Sequence, residues 1–328
     1  MKARTTVIIP NYNGLRFMEP CMEALRNQTV KDYELLVVDN GSTDGSVEWL
    51  KENKIPTIFL ETNTGFSGAV NTGIKAATTP YVILLNNDTK ADPRYVEMLE
   101  KAMGRSEKIF SVSCQMIQMY HPELIDDAGD CYSLLGWAFQ RGVGQPLERY
   151  DHARRVFSAC AGAAIYRREV FEKIGYFDEM HFAYLEDIDV GYRARLYGYD
   201  NLYCPEAKVL HVGSGTSGSK YNAFKVKLAS RNSIYLNYKN MPTWQLILNF
   251  PGLFLGTAVK YAFFLKKGFG KEYLEGLKEG FKTVSSCKKV PMKEISPAAP
   301  FIIEFELLAG TICYVWEFLR RKTGKTGK

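Results

Sequence analysis

The fold of this chain is decided by residues 34–45, which read ELLVVDNGSTDG. A short apolar run that ends in a polar, glycine-containing turn is typical of a buried strand in a parallel sheet. Residues 6–9 and 81–85 show the same pattern, and apolar residues repeat at helical spacing between these runs. Strands that alternate with helices predict an α/β fold with a mostly parallel, twisted, Rossmann-like sheet and flanking helices.

Polar and acidic residues follow the predicted strands at the same end. Asp39 ends the strand predicted at residues 33–38, while Asp88 and His211 stand just past later strands at residues 81–85 and 207–210. Side chains past the carboxyl ends of parallel strands converge on one crevice. Carboxylate oxygens are ligands that a hard divalent ion such as Mg²⁺ or Mn²⁺ prefers. The sequence therefore predicts a metal-assisted site for a phosphorylated substrate.

A further acidic group stands at the start of a predicted helix. Glu186, Asp187 and Asp189 lie at or just inside the N-terminus of residues 188–197, a helix that Gly198 ends. Ionised acids are favoured near the positive end of a helix. These carboxylates are either functional or part of a solvated helix start, in which Asp189 only caps the helix.

The middle of the chain is less regular. Residues 109–115 and 159–166 are strand candidates, and they flank a glycine- and aromatic-containing stretch around Trp137. We expect this stretch to form a pocket for a second substrate, the acceptor.

Charge and composition restrict the class of partner. The chain has 46% hydrophobic and 24% charged residues, as an ordinary globular protein does, and a formal charge of +6. The basic excess falls late in the sequence, at Lys266, Lys267, Lys288, Lys289, Arg320, Arg321, Lys322, Lys325 and Lys328. This placement favours an anionic membrane surface over nucleic acid, for which we find no reading motif. A solvated basic tail is the alternative.

Cysteine usage and the start of the chain indicate the compartment. Seven cysteines without a CxxC pair fit neither a disulfide framework nor a zinc site, and they favour a reducing compartment. The first residues contain only a four-residue apolar stretch, which is too short for a signal-peptide core. We therefore expect the chemistry to face the cytosol.

The last third of the chain reads as a separate helical region. Residues 244–259 carry no charge but include Pro251, and residues 301–319 include three glutamates. Neither is a clean span of about 20 apolar residues, so interfacial or re-entrant helices fit better. We predict a catalytic domain at residues 1–215 and a membrane-associating or oligomerisation region at 216–328. Packing against the catalytic domain, or a homodimer interface, is the alternative.

Seven motifs in fixed order carry a resemblance to a known family. They are VIIPNYNG (7–14), VVDNGSTDG (37–45), NTGFSGAVNTG (63–73), LLNND (84–88), CAGAAIYRREVFEKIGYFDE (160–179), YLEDIDVGYR (184–193) and VLHVGSG (209–215). Over roughly residues 5–215 the chain resembles the inverting family 2 glycosyltransferases of GT-A fold. It is most similar to the bacterial branch described as rhamnosyltransferases of cell-wall or surface-polysaccharide assembly.

This resemblance implies an inverting hexosyltransferase. It would move a single sugar, with L-rhamnose a candidate, from a UDP- or dTDP-sugar to a hydroxyl of a lipid-linked or polymeric cell-surface glycan. The QxxRW element of processive synthases is absent from the sequence, so transfer is expected to be non-processive. The implied location is peripheral, on the cytoplasmic face of the cell membrane.

The resemblance also implies a nucleotide-sugar site. The residues expected to contact the donor are Pro10, Tyr12, Asn13, Asp39, Asn63, Gly65, Asn71, Asn86 and Asn87. Asp39 would accept a hydrogen bond from the pyrimidine N3 proton, which uracil and thymine share, so UDP and dTDP donors remain open. A turn-forming aspartate that caps its own loop is the alternative for Asp39.

The metal and catalytic roles follow from two of the motifs. LLNND occupies the place of the family's DxD motif with Asn86 as its first member, which leaves Asp88 as the direct metal ligand and His211 to complete the shell. A bound Mg²⁺ or Mn²⁺ would neutralise charge on the leaving nucleoside diphosphate. Asp187 matches the base that removes the proton of the acceptor hydroxyl, and Glu186 would contact the acceptor or orient the loop.

The protonation of the base is open at this stage. Neighbouring acids would raise the pKa of Asp187 by like-charge repulsion, and the helix terminus would lower it.

Two rival functions come from other classes. A catalytically weakened nucleotide-sugar-binding or scaffold protein is suggested by Asn86 alone. A sugar-1-phosphate nucleotidylyltransferase would share the α/β fold, but its GxGxRLxPLT-like opening is replaced here by VIIPNYNG.

Overall fold

The structure is a computed structural model that describes residues 3–213 and 221–322. The strands are β1 (Thr5–Asn11), β2 (Glu34–Asp39), β3 (Thr57–Phe59), β4 (Tyr81–Leu85), β5 (Thr89–Ala91), β6 (Ile109–Gln118), β7 (His121–Asp127), β8 (Asp130–Tyr132), β9 (Ala138–Gln140), β10 (Arg154–Val156), β11 (Ala163–Arg167) and β12 (Asp200–His211). The helices are α1 (Leu15–Arg26), α2 (Ser46–Glu52), α3 (Gly65–Ala76), α4 (Tyr95–Met103), α5 (Val170–Ile174), α6 (Glu186–Leu196), α7 (Ala223–Asn240), α8 (Thr243–Lys266), α9 (Gly270–Thr283) and α10 (Ala299–Lys322).

The central sheet has the strand order β10-β12-β6-β11-β4-β1-β2-β3, with β5 on β12 and β7 on β6. Strands β1 to β4 are parallel, and β11 runs antiparallel between β4 and β6. Because β2 and β4 flank β1 on opposite sides, their connections diverge and open a crevice at the carboxyl ends. The predicted α/β fold with a mainly parallel central sheet is confirmed.

Helices cover both faces of this sheet. Met18 and Met22 of α1 and Leu99 of α4 are buried with one set of strand residues. Val70 of α3 and Phe171 of α5 are buried with the alternate set, which points to the opposite face. The core is therefore layered helix, sheet, helix, and the loops past the strand ends are left to form a site.

The last strand is longer than its sequence pattern indicates. Residues 207–210 are only the end of β12, which pairs in parallel with β6 from Asp200 onward. The register shifts between Cys204 and Lys208, an interval that contains Pro205, a residue without an N–H to donate. This irregularity breaks the period-2 alternation from which strands are recognised.

The C-terminal region is helical and shares a core with the α/β part of the chain. Helix α7 packs on α9, and α10 contacts α6 and β8. Tyr132, Tyr192, Leu236 and Leu307 bring β8, α6, α7 and α10 into one buried cluster. The domain boundary predicted at residue 215 lies outside the described residues.

Within the described residues, α8 is the one helix long and apolar enough to cross a membrane. Its qualifying window has a mean hydropathy of 1.3, and 11% of that window is buried. Gln245 and Asn249 are buried on one side of α8 and donate hydrogen bonds to the Glu304 carboxylate of α10 at 2.6 and 2.9 Å. Helix α8 therefore has a polar side packed on protein and an apolar side that is exposed.

Asp189 joins the two regions through a buried ionic network. Its carboxylate, fully buried, accepts hydrogen bonds from Arg193 Nη2 at 2.8 Å, Lys239 Nζ at 3.0 Å and Asn240 Nδ2 at 2.8 Å. Burial alone would raise the pKa of Asp189, but Arg193 and Lys239 hold it far below its usual range. Asp189 therefore anchors α7 to α6 and is not a solvated helix cap.

We expect Asp189→Asn to destabilise the fold strongly, because it leaves the buried Lys239 and Arg193 without their shared counter-charge. Removing one partner of a buried ionic group costs about 3–5 kcal/mol. Urea unfolding followed by circular dichroism measures this loss.

The matched control is Glu19→Gln, which removes an exposed pair with Arg26 at 3.0 Å. An exposed pair contributes about 0–1 kcal/mol. Equal unfolding midpoints for the two variants would show that the network does not hold the regions together.

Candidate active site

A cavity of about 970 Å³ lies at the carboxyl ends of β1, β4 and β12. All but three of the residues predicted for the site line it: Pro10, Tyr12, Asn63, Gly65, Asn86, Asn87, Asp88, Glu186, Asp187 and His211. Residues from five separate sequence motifs therefore share one crevice.

Two of the three exceptions brace the loops beside the cavity. The fully buried Asp39 carboxylate accepts hydrogen bonds from Asn11 Nδ2 at 2.8 Å and from the backbone N–H of Ser42 at 3.0 Å. Asn13, in the left-handed region at φ 51°, accepts a hydrogen bond from the Thr43 N–H at 2.8 Å. In this conformation both residues hold the loop after β1 against the loop after β2. For Asp39, this agrees with the alternative role of an aspartate that caps its own turn.

The third exception, Asn71, is occupied by protein contacts. Its Nδ2 donates to the Phe177 carbonyl at 2.8 Å and to Glu179 Oε1 at 2.9 Å, and its Oδ1 accepts from the Phe177 N–H at 3.0 Å. With both of its N–H groups used, Asn71 fastens α3 to the segment before the acidic motif. The structure gives no support to a direct contact with the nucleotide.

Two asparagines that the sequence analysis passed over also line the cavity. Asn11 Oδ1 accepts a hydrogen bond from Asn87 Nδ2 at 2.7 Å, so it links Asn87 to Asp39. Asn40 Nδ2 donates to Asn63 Oδ1 and to the Gly65 carbonyl, both at 3.0 Å. Both asparagines could have been predicted from the sequence, because they lie inside the quoted motifs next to residues that were predicted for the site.

Gly65 is required by the backbone at this point. Its φ is +77°, and a Cβ there would lie 2.5 Å from the Phe182 carbonyl oxygen. A side chain would therefore push the first turn of α3 away from the segment that ends in the acidic motif.

Asp88, His211 and Asp126 form a chain of polar contacts in the cavity wall. His211 Nε2 lies 3.4 Å from Asp88 Oδ1, and His211 Nδ1 lies 2.7 Å from Asp126 Oδ2. Burial opposes a charge on His211, but the hydrogen bonds to Asp126 and Asp88 outweigh it and raise its pKa to about 10. Asp126, which the sequence analysis missed, fixes the imidazole with Nε2 toward Asp88.

This arrangement fits a divalent ion. A carboxylate oxygen and an imidazole nitrogen face the same cavity, and a second carboxylate holds the far nitrogen of the ring, as in many metal sites. An ion at Nε2 would have to displace the proton that this nitrogen directs toward Asp88.

A second group of ligand atoms lies behind the cavity wall. Single ligand atoms of Asp127, Asp130 and Cys160 lie within 4.8 Å of one another. Burial raises the pKa of Asp127 to about 7, and it raises the pKa of the Cys160 thiol well above its usual range. Of these three residues only Cys160 lines the cavity, so an ion held by Asp127 and Asp130 would lie away from a substrate in that cavity. Asp88 and His211 are therefore the better candidates for an ion that also contacts a substrate.

Glu186 is buried and Asp187 is half-buried, so the pair is not a solvated helix start. Burial raises the pKa of Glu186 well above its usual range, the charge of Asp187 adds to this, and Glu186 Oε2 has no hydrogen-bond partner among the described residues. Burial also raises the pKa of Asp187, against the backbone N–H of Ile188, which donates to its Oδ1 at 2.8 Å. The upward shift of Asp187 thus comes first from burial rather than from the like-charge repulsion expected from the sequence.

The turn before this pair is strained and clamped. Phe182, Tyr184 and Leu185 have φ of 62°, 72° and 66°, in the left-handed region that such residues rarely adopt. Asn232 of α7 places its Nδ2 at 2.8 to 2.9 Å from the carbonyl oxygens of the turn, including that of Tyr184. Nothing in the sequence marks this asparagine, because its partners are about 50 residues away.

Comparison with known proteins gives consistent relatives. The chain is 27% identical to the N-acetylglucosaminyl-diphospho-decaprenol L-rhamnosyltransferase of Mycobacterium tuberculosis over 238 residues, which are 65% of this chain and 77% of that protein. It is 32% identical to an uncharacterised glycosyltransferase of Nostoc sp. over 180 residues, 52% of this chain and 53% of that one. It is 27% identical to the putative teichuronic acid biosynthesis glycosyltransferase TuaG of Bacillus subtilis over 157 residues, 46% and 54% of the two chains.

Two solved structures share the fold. GalNAc-T7 with UDP, GalNAc and Mn²⁺ aligns with a TM-score of 0.59 at 15% identity, over 72% of this chain and 48% of that one. The mannosyltransferase PcManGT of Pyrobaculum calidifontis, with GDP-Man and Mn²⁺, aligns with a TM-score of 0.54 at 13% identity, over 97% and 88%. Both likenesses are at the level of the fold, and they support the GT-A architecture.

The family model described as "Glycosyl transferase family 2" matches residues 6–175. These residues include β2 to β4 and nearly all of β1, together with the loops after these strands that line the cavity. Because the match spans more than half of the 328 residues, the chain is a glycosyltransferase that belongs to glycosyl transferase family 2.

Proposed function

We propose that this protein is an inverting, non-processive glycosyltransferase. It transfers a single sugar, with L-rhamnose the first candidate, from a UDP- or dTDP-sugar to a hydroxyl of a lipid-linked or cell-surface glycan. The observation that carries the proposal is the meeting of Asp88 and His211 with Asp187 in one cavity. The mycobacterial relative acts as an L-rhamnosyltransferase on a diphospho-decaprenol, which favours L-rhamnose and a lipid-linked acceptor.

Asp187 acts as the general base in this proposal. The carboxylate removes the proton of the acceptor hydroxyl as that oxygen attacks the sugar carbon from the face opposite the leaving diphosphate. Burial raises its pKa, which makes Asp187 a stronger base than an exposed aspartate while leaving it ionisable. Protonation of Asp187 stops the reaction, so activity falls as the pH drops through this raised pKa.

Glu186 has a different role. Burial and the charge of Asp187 raise its pKa well above the usual range, which favours the protonated carboxyl, the form that donates a hydrogen bond. A neutral carboxyl with one unpartnered oxygen at the cavity wall is suited to hold an acceptor hydroxyl in position.

Asp88 and His211 would hold Mg²⁺ or Mn²⁺, which when bound supplies positive charge for the leaving diphosphate. Pro10, Tyr12, Asn63, Gly65, Asn86 and Asn87 line the remaining wall and would hold the nucleotide sugar. A contact between Asp39 and the pyrimidine requires Asn11 or the loop at Ser42 to move, since both now bind its carboxylate.

The C-terminal helices provide the membrane-facing part of the proposal. Ile247, Phe250 and Phe254 of α8 are 71%, 65% and 66% exposed, and Phe305 and Ile312 of α10 are 75% and 64% exposed. Trp244 and Phe301 stack at 5.1 Å between ring centroids, so the two helices lie side by side. One apolar face backed by protein is typical of helices that rest in a membrane interface. A lipid-linked acceptor would be met at that surface.

We expect Asp187→Asn to abolish sugar transfer while donor binding stays within about twofold, because the amide keeps the shape but cannot take a proton. Glu186→Gln should retain most of the activity, since the glutamine remains a neutral hydrogen-bond donor. Nucleoside diphosphate release from a panel of UDP- and dTDP-sugars, with a lipid-linked acceptor, measures transfer, and thermal shift measures donor binding.

Equal activity losses in both variants would remove Asp187 from the role of sole base. A wild-type protein that binds donors but never releases nucleoside diphosphate would support the scaffold alternative.

We expect Asp126→Asn to weaken Mn²⁺ binding about 10- to 100-fold, because the asparagine no longer fixes His211 as a carboxylate does. Isothermal titration of the purified protein with Mn²⁺ measures the affinity. Asp151→Asn, at an exposed carboxylate next to His152, is the matched control and should not change it. An unchanged affinity in Asp126→Asn would show that His211 is not held for a metal.

We expect Phe254→Glu to weaken binding to vesicles of mixed zwitterionic and anionic phospholipid by at least about tenfold, because it replaces an aromatic ring that would insert into the membrane interface with a charge. Co-sedimentation measures the bound fraction. Phe59→Glu, at a 41% exposed phenylalanine on β3, is the control. Equal sedimentation of both variants would exclude α8 as the membrane contact.

A further inference from the structure

A second cleft, with a volume of about 450 Å³, lies outside the active-site cavity and shares no lining residue with it. Its lining is almost entirely basic and aromatic: Arg141, Arg149, Tyr150, His152, Arg154 and Arg155. Clustered arginines repel one another, and such a cluster needs a counter-charge.

Arg141 forms the floor of this cleft and is 7% exposed. Its guanidinium lies 4.8 Å from the ring centroids of both Tyr150 and Tyr203, and its Nε donates to the Ala128 carbonyl at 2.9 Å. Its Nη2 is buried and has no hydrogen-bond partner among the described residues. The aromatic rings and the carbonyl thus hold the guanidinium rigidly and leave donor capacity unused.

The rim arginines are also short of counter-charge. Arg149 and Arg154 are exposed, and in the described part of the chain neither has a carboxylate at ion-pair distance. Arg155 is neutralised by Asp200 Oδ2 at 3.1 Å, and His152 lies 3.4 Å from Asp151 Oδ1. Burial and the charge of Arg154 lower the pKa of Arg141, which shows the two guanidinium groups acting on each other. Arg141, Arg149 and Arg154 therefore face one small cleft, and among the described residues none of them has a carboxylate at ion-pair distance.

We propose that this cleft is a binding site for a phosphate group, as a phosphate monoester or diphosphate, held by Arg141 from the floor and by Arg149 and Arg154 from the rim. Guanidinium groups match phosphate oxygens with paired, charge-assisted hydrogen bonds. The flat tyrosines beside Arg141 leave room for a group attached to the phosphate. The site is separate from sugar transfer and does not depend on it.

The cleft adjoins the acidic segment of the active site. The Arg141 N–H donates to the Gly129 carbonyl at 3.0 Å, and the Ala128 N–H donates to the Arg141 carbonyl at 3.0 Å. Gln140, which ends β9 and directly precedes Arg141, lines the active-site cavity. A bound phosphate would therefore lie behind the part of the cavity wall that contains Gln140. The same phosphate chemistry could come from a soluble sugar phosphate or from a lipid headgroup.

The test is titration of the full-length protein with inorganic diphosphate by calorimetry, in saturating UDP so that the donor cavity is filled, and without added metal ion, because diphosphate itself binds divalent ions. We expect wild type to bind, and Arg149→Gln/Arg154→Gln to bind at least about tenfold more weakly, since two charge-assisted contacts are lost. Arg26→Gln/Arg105→Gln carries the same change of net charge at exposed positions outside the cleft and should bind as wild type does.

A second arm distinguishes the source of the phosphate. Vesicles containing phosphatidic acid are sedimented with each variant. Loss of vesicle binding in the Arg149/Arg154 variant, together with loss of diphosphate binding, identifies a lipid headgroup, and loss of diphosphate binding alone identifies a soluble phosphate. Equal diphosphate affinity in all three proteins, or none in wild type, overturns the proposal.

Discussion

The structure depends on one constraint, the divergence of the chain at β1. β1 pairs in parallel with β2 on one side and with β4 on the other, so the chain moves to one side of β1 after this strand and returns on its other side at β4. A gap opens at the carboxyl ends of the strands at such a point of a parallel sheet. Asn11 and Asn87 stand at the two edges of this gap and are joined by a 2.7 Å hydrogen bond. The acidic residues at the start of α6 and His211 at the end of β12 reach this gap from later parts of the chain.

The charge of each acid at the start of α6 depends on which groups lie next to its carboxylate. Asp189 meets Lys239 and Arg193 and stays ionised, whereas Glu186, three residues earlier on the same helix, finds no cation and has its pKa raised. Asp187 lies between these extremes, because burial raises its pKa and backbone N–H groups oppose the shift. The same helix start therefore carries one acid whose ionised form is stabilised and two acids whose protonated forms are favoured by burial.

The sequence predicted the parts of the site that depend on local pattern. The loop after β4 and the start of α6 were found because a buried strand or a helix N-terminus stands next to polar residues. Asp126 was missed because it meets His211 only through β6, which pairs with β7 on one side and β12 on the other. Asn232 and Arg141 were missed for the same reason, since their partners are set by packing between distant segments. Asp39 and Asn71 were predicted to contact the nucleotide. In this structure Asp39 joins the loops after β1 and β2, and Asn71 fastens α3 to the segment before the acidic motif.

The clamp on the strained turn connects the two regions of the molecule. Residues with φ near +65° ahead of Glu186 cost free energy, and they persist only where surrounding contacts fix them. Those contacts come from α7, whose Asn232 holds the carbonyls of the turn and whose Lys239 holds Asp189. Helix α7 is in turn packed on α9, and through the shared core on α10, which carries part of the exposed apolar face. The position of Glu186 and Asp187 is therefore set partly by helices outside the parallel sheet.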